Sequence, residues 1–246
     1  MDLHDPRFRV AAARRILHDE GCDGGIGGQV SVRSIDDDGF WVSPFGFFEE
    51  TLPQDVQKLS FTCELLPGGD QRREASPAVD FHAEIYLQRD DVQAVVHTHS
   101  VWASMLCATR AFIGTWNPDA VLLHDEQAAF EPAENESAID PKTIAAALGD
   151  KRVLWMRHHG VIVAGASLEQ ATILARDIEL MAQFELQLRG ADPIEMPAHR
   201  IPSSKAAMER WHIEHLWSAN MRRLRRTAPD LFDALIDHQM QGAGYL

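Results

Sequence analysis

The sequence has 246 residues, of which 45% are hydrophobic and 24% charged, a composition typical of a globular protein with a substantial core. Its formal net charge of −14 argues against nucleic acid or an anionic membrane surface as a partner, because both attract basic proteins. The polar segment from Met1 to Arg9 does not resemble a signal peptide, and no apolar run approaches the roughly 20 residues that span a bilayer. Three dispersed cysteines favour a reduced, cytoplasmic protein without disulfides.

Apolar periodicity and turn residues predict alternating helices and strands along the chain. Gly21 and Gly149 each follow a predicted helix, as is usual past a helix end, and Ser167 is a typical N-cap. In chain order we expect a helix over 7–20, strands over 30–33, 40–43 and 56–66, a helix over 77–89, a strand over 94–96, a helix over 101–108, a strand over 121–124, a helix over 141–148, strands over 153–156 and 161–164, and helices over 168–189 and 204–226.

This mixture of elements predicts a single α/β domain over residues 1–192, followed by a helical extension over 193–246. The extension carries Trp211, His215 and Trp217 at spacings that suit an amphipathic helix. Packing, an oligomer contact or a lid over a pocket would each explain such a helix.

Three histidines are candidate metal ligands. His97 and His99 end a predicted buried strand, where side chains at i and i+2 point to the same face and can converge on one ion. His159 precedes Gly160 in a predicted turn between two strands, and His158 is an alternative ligand there. A set of three imidazoles leaves coordination positions open, as in catalytic sites, and suits zinc, iron, nickel or copper, with manganese possible if oxygen ligands join. A surface or core role for these histidines is the competing interpretation.

The sequence also resembles the class II aldolase/adducin family, which includes L-fuculose-phosphate aldolase and L-ribulose-phosphate 4-epimerase. The resemblance extends from about residue 11 to 189. Its motifs are Gly28-Gln29-Val30-Ser31-Val32-Arg33, Ser43-Pro44-Phe45-Gly46, His82-Ala83-Glu84-Ile85-Tyr86, Asp91-Val92-Gln93-Ala94, Val95-Val96-His97-Thr98-His99-Ser100, Ala147-Leu148-Gly149-Asp150 and His158-His159-Gly160.

This resemblance implies a three-layer α/β/α domain with a mainly antiparallel central sheet, usually assembled as a homotetramer. It further implies a divalent metal ion, for which we expect zinc first and manganese or iron as alternatives. The family's ligands match His97, His99 and His159.

The position of the family's catalytic acid is altered. Aldolases of the family carry Glu, and epimerases Asp, four residues before the histidine that matches His82, where this chain has Ala78. His82 shares a helix face with Ala78, so it is our first candidate for a substitute acid or base, with Glu84 as a second. A buried His82 that anchors its helix through a hydrogen bond is an equally good interpretation.

The expected phosphate pocket is altered too. Sugar-phosphate members resemble G-N-x-S and T-P-S-G, whereas this chain has Gln29 in place of the Asn and Phe45 in place of the serine. Phenylalanine removes a phosphate donor and adds a flat apolar wall, unless it serves only to fill a core or a subunit contact. We expect a small-molecule substrate, without phosphate, to be bound by Gln29, Ser31, Arg33, Ser43, Phe45 and Gly46, with Arg33 gripping a carboxylate.

The aldolase tyrosine expected about twenty residues beyond His99 is also missing. His124, in a His-Asp-Glu run, is a candidate catalytic residue that reaches a neighbouring subunit's site, or it lies in a solvated loop.

Together these features predict a metal-dependent carbon–carbon lyase. Decarboxylation of a hydroxylated aromatic or keto acid is favoured over aldol cleavage, because decarboxylation needs no base to deprotonate a hydroxyl. A non-haem iron oxygenase and an adducin-like interaction module without catalytic activity are the alternatives.

Overall fold

The fold was analysed in a computed structural model that describes residues 2–73, 75–132 and 139–233. These residues contain a seven-stranded sheet whose order is β3-β2-β1-β4-β7-β6-β5, and every neighbouring pair is antiparallel except β5 and β6. The strands are β1 (Gln29–Arg33), β2 (Gly39–Val42), β3 (Gln57–Ser60), β4 (Ala94–Thr98), β5 (Gln127–Phe130), β6 (Val153–Met156) and β7 (Val161–Gly165).

Helices cover both faces of this sheet. Their N-termini are capped by side chains where the sequence offers them: Asp5 accepts the N–H of Arg7, and Ser167 accepts that of Gln170. The helices are α1 (Pro6–Asp19), α2 (Val79–Gln88), α3 (Val101–Cys107), α4 (Pro141–Leu148), α5 (Leu168–Leu188) and α6 (Ile201–Thr227).

Two apolar cores result from the alternation of side chains along the central strands. In β4, Ala94 and Val96 pack with α1, α3 and α5, while Val95 faces the opposite core with α2 and α4. Both faces of the central strands are therefore buried, which explains why their sequences are almost continuously apolar. The predicted three-layer α/β/α fold with a mainly antiparallel sheet is confirmed.

Several predicted elements differ from the structure. The strand predicted over 121–124 is wrong, because the structure has a 3-10 helix at Asp119–Leu123 and the strand follows at β5. The strand predicted over 56–66 ends at Ser60, where Cys63 turns the chain with a positive φ of 62°. Helix α6 begins at Ile201, three residues before the predicted start at 204.

Helix α6 packs against α1 and α5 and contributes Leu224 to the core. The division of the chain at residue 192 into a domain and an extension stays a prediction. Among the residues described, the structure contains no helix with the length and apolar character needed to cross a membrane.

Candidate metal centre

The three candidate histidines meet at one end of the central strands. His97 lies within β4, and His99 follows the last residue of that strand. His159 lies in the tight turn between β6 and β7. Because β4 and β7 are paired antiparallel, with Thr98 opposite Val161, the sheet itself brings the turn beside the end of β4.

Their Nε2 atoms form a small triangle. His99 Nε2 is 2.8 Å from that of His97 and 3.0 Å from that of His159, and His97 and His159 are 3.2 Å apart. Imidazoles that share one cation through bonds of about 2.0–2.1 Å have nitrogens about 2.8–3.4 Å apart. The described residues therefore fit a divalent cation at this position.

The protonation of His97 supports the same conclusion. Its Nδ1 is 3.0 Å from the carbonyl oxygen of Val161, which can only accept, so Nδ1 carries the proton and Nε2 presents a lone pair. Burial lowers the pKa of His97 well below its ordinary value, and burial also lowers the pKa of His99 and of His159. Three neutral imidazoles with converging nitrogens form the type of donor set that binds zinc or iron.

Access to this centre is one-sided. His97 is buried, His99 is partly exposed and His159 is exposed, so the open side of the triangle faces solvent. On the other side, the glycine-rich loop over residues 24–28 lies against His99. A Cβ on Gly27 would lie 2.6 Å from His99 Nδ1. Gly160 has a similar role, since its Cβ would lie 2.6 Å from His99 Cδ2. Glycine at these positions permits the close approach.

His158 is not part of the cluster. Groups of three potential ligand atoms within 4.8 Å of one another include His159 but not His158 among the described residues. His158 is exposed and adopts a left-handed conformation, with φ of 59°, which turns the chain so that His159 joins the other two imidazoles. Of the two ligands that the sequence left open, the geometry favours His159.

Comparison with known proteins agrees with this arrangement. Residues 8–186 match the sequence profile of the class II aldolase and adducin N-terminal domain. The chain belongs to the class II aldolase/adducin family. The predicted resemblance is thereby confirmed, and so is the fold that it implies.

Curated relatives in this family have different activities. The chain is 29% identical to 5-deoxy-D-ribulose 1-phosphate aldolase of Bacillus thuringiensis, over 77% of this chain and 88% of that protein. It is 27% identical to decarboxylase NovR of Streptomyces niveus, over 79% and 73% of the two chains. An adducin-related protein of Caenorhabditis elegans is 28% identical, over 72% of this chain and 25% of that protein.

Solved structures show the same fold. An aldolase II superfamily protein from Pseudomonas syringae superposes with a TM-score of 0.82 and 21% identity, covering 94% of this chain and 97% of that one. L-fuculose 1-phosphate aldolase from Glaciozyma antarctica superposes with a TM-score of 0.79, also at 21% identity, covering 89% of each chain.

His82, predicted as a substitute acid or base, is completely buried in α2. Its Nδ1 is 2.7 Å from Ser31 Oγ, which in turn is 2.7 Å from the Tyr86 hydroxyl. Burial lowers the pKa of His82 to about 3, so the ring is neutral at physiological pH. The structure thus corrects the assumption that His82 titrates near neutrality and agrees with the alternative of a buried, hydrogen-bonded anchor. Ser31, predicted to bind substrate, is also buried in this network.

Arg33, predicted to grip a substrate carboxylate, lies at the wrong end of β1. The strand runs antiparallel to β4, so that Gln29 pairs with His97 while Arg33 lies beyond the pairing of Val32 with Ala94. The Arg33 guanidinium donates to the carbonyls of Val92, Tyr86 and Arg89. It therefore holds the end of α2 in place and does not reach the histidines.

Gln29, in contrast, lies beside the metal centre. It pairs with His97 across the sheet and donates through Nε2 to Ser76 Oγ at 2.7 Å, while its buried Oε1 has no hydrogen-bond partner among the described residues. Ser43 Oγ accepts the amide of Val30. This contact fixes, next to β1, the start of the loop over residues 44–53, which is called the aromatic loop because it contains three phenylalanines. The substrate-binding roles of Gln29 and Ser43 stay predictions.

The aromatic loop itself is held by Arg14, a residue that the sequence analysis missed. This fully buried arginine of α1 donates to the carbonyls of Pro44 and Gly46. Phe45, between the two carbonyls, keeps 44% of its surface exposed. A charged residue among the apolar positions of α1 was the available signal.

Glu84 and His124 are not brought to the histidines. Glu84 lies on α2 close enough to Cys63 for its charge to raise the pKa of that thiol, in addition to the larger effect of burial. His124 precedes β5, which begins opposite Val153 at the start of β6, whereas the metal centre lies past the end of β6. Within the described chain, neither residue is placed for catalysis at this centre, and whether His124 reaches a neighbouring subunit stays a prediction.

Proposed function

We propose that this protein is a divalent-metal-dependent carbon–carbon lyase, with zinc as the preferred ion and manganese or iron as alternatives. We further propose that it decarboxylates a non-phosphorylated aromatic or keto acid, with aldol cleavage as the next candidate. The observation that carries the proposal is the convergence of three Nε2 atoms within 3.2 Å, open to solvent on one side.

The chain's own residues prepare this centre for a substrate with adjacent oxygens. His97 is held in one tautomer by the Val161 carbonyl, so its donor nitrogen is always available. The more exposed His99 and His159 border the open side on which a substrate can approach. A bound divalent ion supplies stabilisation for the negative charge that develops on a substrate oxygen when the neighbouring carbon–carbon bond breaks.

Decarboxylation is favoured because the position of the family's catalytic acid is occupied by Ala78, which cannot exchange a proton. Ala78 is the N-cap residue of α2 and has no side-chain hydrogen bond. Asp80, two residues later, accepts the N–H of Phe81 and lies close enough to Glu84 for the two charges to interact. Loss of CO₂ leaves the electrons on carbon without prior removal of a proton from a hydroxyl, so it tolerates an alanine at this position better than aldol cleavage does.

A substrate without phosphate agrees with the aromatic loop. Phe45 offers an exposed ring where sugar-phosphate members have a serine, and Phe47 is similarly exposed. Phosphate requires several fixed donors, whereas exposed rings suit a flat or apolar substrate. A relative named as a 4-hydroxy-3-prenylphenylpyruvate oxygenase, 26% identical, supports this class of substrate, and the relative named decarboxylase NovR, 27% identical, supports the reaction. The first of these relatives keeps an iron oxygenase as the alternative activity.

The test combines metal analysis with a substrate screen. The purified protein should contain about one divalent ion per chain and should release CO₂ from a hydroxylated aromatic or keto acid without consuming oxygen. His99→Ala should lose both the metal and the activity while remaining folded, because His99 is only partly buried.

His158→Asn is the matched control, since it alters the neighbouring histidine and asparagine tolerates the left-handed conformation found there. This variant should keep its metal and its activity. Turnover that requires O₂ and Fe(II) would support the oxygenase instead, and a His99→Ala variant with normal metal content would contradict the proposed site.

A further inference from the structure

Helix α3 connects the two chain segments that carry the histidines. It begins at Val101, with only Ser100 between it and His99. At its other end, the Cys107 carbonyl accepts the N–H of His158 at 3.4 Å, and the Cys107 thiol donates to the carbonyl of Gly160 at 3.1 Å. His159 lies between His158 and Gly160, so the end of α3 is attached to the backbone on both sides of His159. The start of the same helix is attached to His99 through Ser100.

The start of α3 is not capped in the usual way. Ser100 is the N-cap residue, but its side chain makes no capping hydrogen bond. Instead, Glu179 of α5 reaches across, and its two carboxylate oxygens accept the amides of Trp102 and Ala103, each at 2.9 Å. A carboxylate at this position both satisfies free amides of the first turn and interacts favourably with the helix dipole.

Glu179 is held by these hydrogen bonds and, in the part of the chain that the structure describes, not by an ion pair. It is 7% exposed, and among the described residues no Lys, Arg or His side chain lies within ion-pair distance of it. A buried charge is costly unless it is compensated, and here the compensation comes from the two amides of α3. The attachment of α3 to α5 is therefore the main contact that this carboxylate makes.

We propose that Glu179 is a positioning residue of the metal centre, which acts through α3 to set the distance between His99 and His159. This inference rests on the proposed metal-binding function. Any movement of the first turn of α3 passes directly to His99, because one residue separates them. The same movement alters the contacts of Cys107 with the turn that holds His159.

The experiment measures Co²⁺ binding to the metal-free protein by its visible absorption, with a competing chelator to give affinities. The cobalt spectrum depends on coordination geometry, which a general loss of stability does not alter. Glu179→Ala should bind Co²⁺ about tenfold more weakly than wild type, with a changed spectrum, as is typical when a residue supporting a ligand is lost. Glu179→Gln retains an acceptor for one amide and should recover much of the affinity.

Glu185→Ala is the matched control on the same helix. Glu185 also accepts a backbone amide, that of Gly114, and the indole N–H of Trp116, but it does not contact the histidine segments. This control should bind Co²⁺ as wild type does. Wild-type affinity and spectrum in Glu179→Ala, or an equal loss in Glu185→Ala, would overturn the inference while leaving the proposed function intact.

If Glu179→Ala fails to fold, Glu179→Gln and Cys107→Ala carry the test, because they alter opposite ends of α3. Glu179→Gln should keep much of the affinity with a shifted spectrum, Cys107→Ala should show a weaker affinity and a shifted spectrum, and unchanged values in both would overturn the inference. Failure of the wild-type protein itself to bind Co²⁺ through the three histidines would instead refute the proposed function.

Discussion

At the scale of single residues, the candidate metal centre depends as much on the glycines that lie against His99 as on the three imidazoles. Gly24, Gly27 and Gly160 all approach His99 so closely that a Cβ on any of them would lie within 2.7 Å of one of its atoms. The ring of His99 therefore has one available position, and that position completes the triangle of nitrogens. A ligand whose rotamer is fixed in advance loses little conformational freedom on binding.

Substitution of Gly27 tests this fixed position. Gly27→Ala places a methyl group 2.6 Å from His99 Nδ1 and should turn the ring away, which weakens metal binding by about tenfold or more. Metal affinity is measured by chelator competition. Gly25→Ala is the control, since its Cβ meets no atom within 4 Å and its positive φ of 80° adds only backbone strain. Equal affinities in the two variants would contradict the steric argument.

At the scale of elements, the sequence predicts those parts of the fold that depend on local periodicity. The alternation in β1 and the apolar runs in β4 and β7 predict these strands, and the His-x-His spacing predicts two imidazoles on one face, which agrees with the 2.8 Å between the Nε2 atoms of His97 and His99. The run at 121–124 could not be assigned in this way, because a short apolar stretch that is buried all around has no period. Strand β5 is mostly half-exposed, and its polar and small residues gave no alternation.

The roles of individual polar residues were the least predictable part of the site. Arg33 was assigned to substrate, but which end of β1 faces the metal depends on its pairing with β4, a long-range contact. His82 has the same residue type as the three candidate ligands, yet its partner is Ser31 from a distant strand. Sequence reveals which chemistry a side chain can perform, whereas tertiary contacts decide whether it is free to do so.

The attachment of α6 to α5 includes a pH-sensitive pair. His212 Nε2 is 2.8 Å from the Asp177 carboxylate, which is buried and also accepts from Arg176. Its hydrogen bond to Asp177 raises the pKa of His212. The stabilisation is therefore fully present below the ordinary histidine pKa of about 6.5 and is lost as the pH rises through the raised value.

We expect His212→Gln to lower the free energy of unfolding by about 1 kcal/mol at pH 5.5, because a partly solvated ion pair is worth no more than this. The difference from wild type should shrink toward pH 9. Thermal unfolding across this range measures it. His215→Gln serves as the control, since the hydrogen bond and the ring contact that His215 makes in the described part of the chain are both with Trp211 on its own helix. A His212→Gln deficit that is constant with pH would contradict the role of the protonated ring.

At the scale of the whole molecule, the candidate metal centre joins the middle of the sheet to its far half. His97 belongs to β4, at the centre of the strand order, and His99 directly follows that strand, whereas His159 belongs to the connection between β6 and β7. Each Nε2 of a neutral imidazole either donates or accepts a hydrogen bond, so at most two of the three converging pairs can be hydrogen bonds. The pKa of His97 is lowered mainly by burial and further by His99 and His159. The apo fold therefore holds a small unfavourable contact that a cation converts into a favourable one.

This balance predicts the thermal behaviour of the metal-free protein. Zn²⁺ at about 100 times its dissociation constant adds about 2.7 kcal/mol to the folded state, which raises Tm by roughly 5–10 °C for a chain of this size. His99→Ala should show no zinc-dependent rise. Without metal, its Tm should equal or slightly exceed that of the wild-type apoprotein, because one converging nitrogen is gone and the replaced side chain is only partly buried. Differential scanning calorimetry on both proteins, with and without zinc, measures these values. A large loss of stability in the apo variant would mean that His99 supports the fold itself, and a zinc-dependent rise in that variant would place the ion elsewhere.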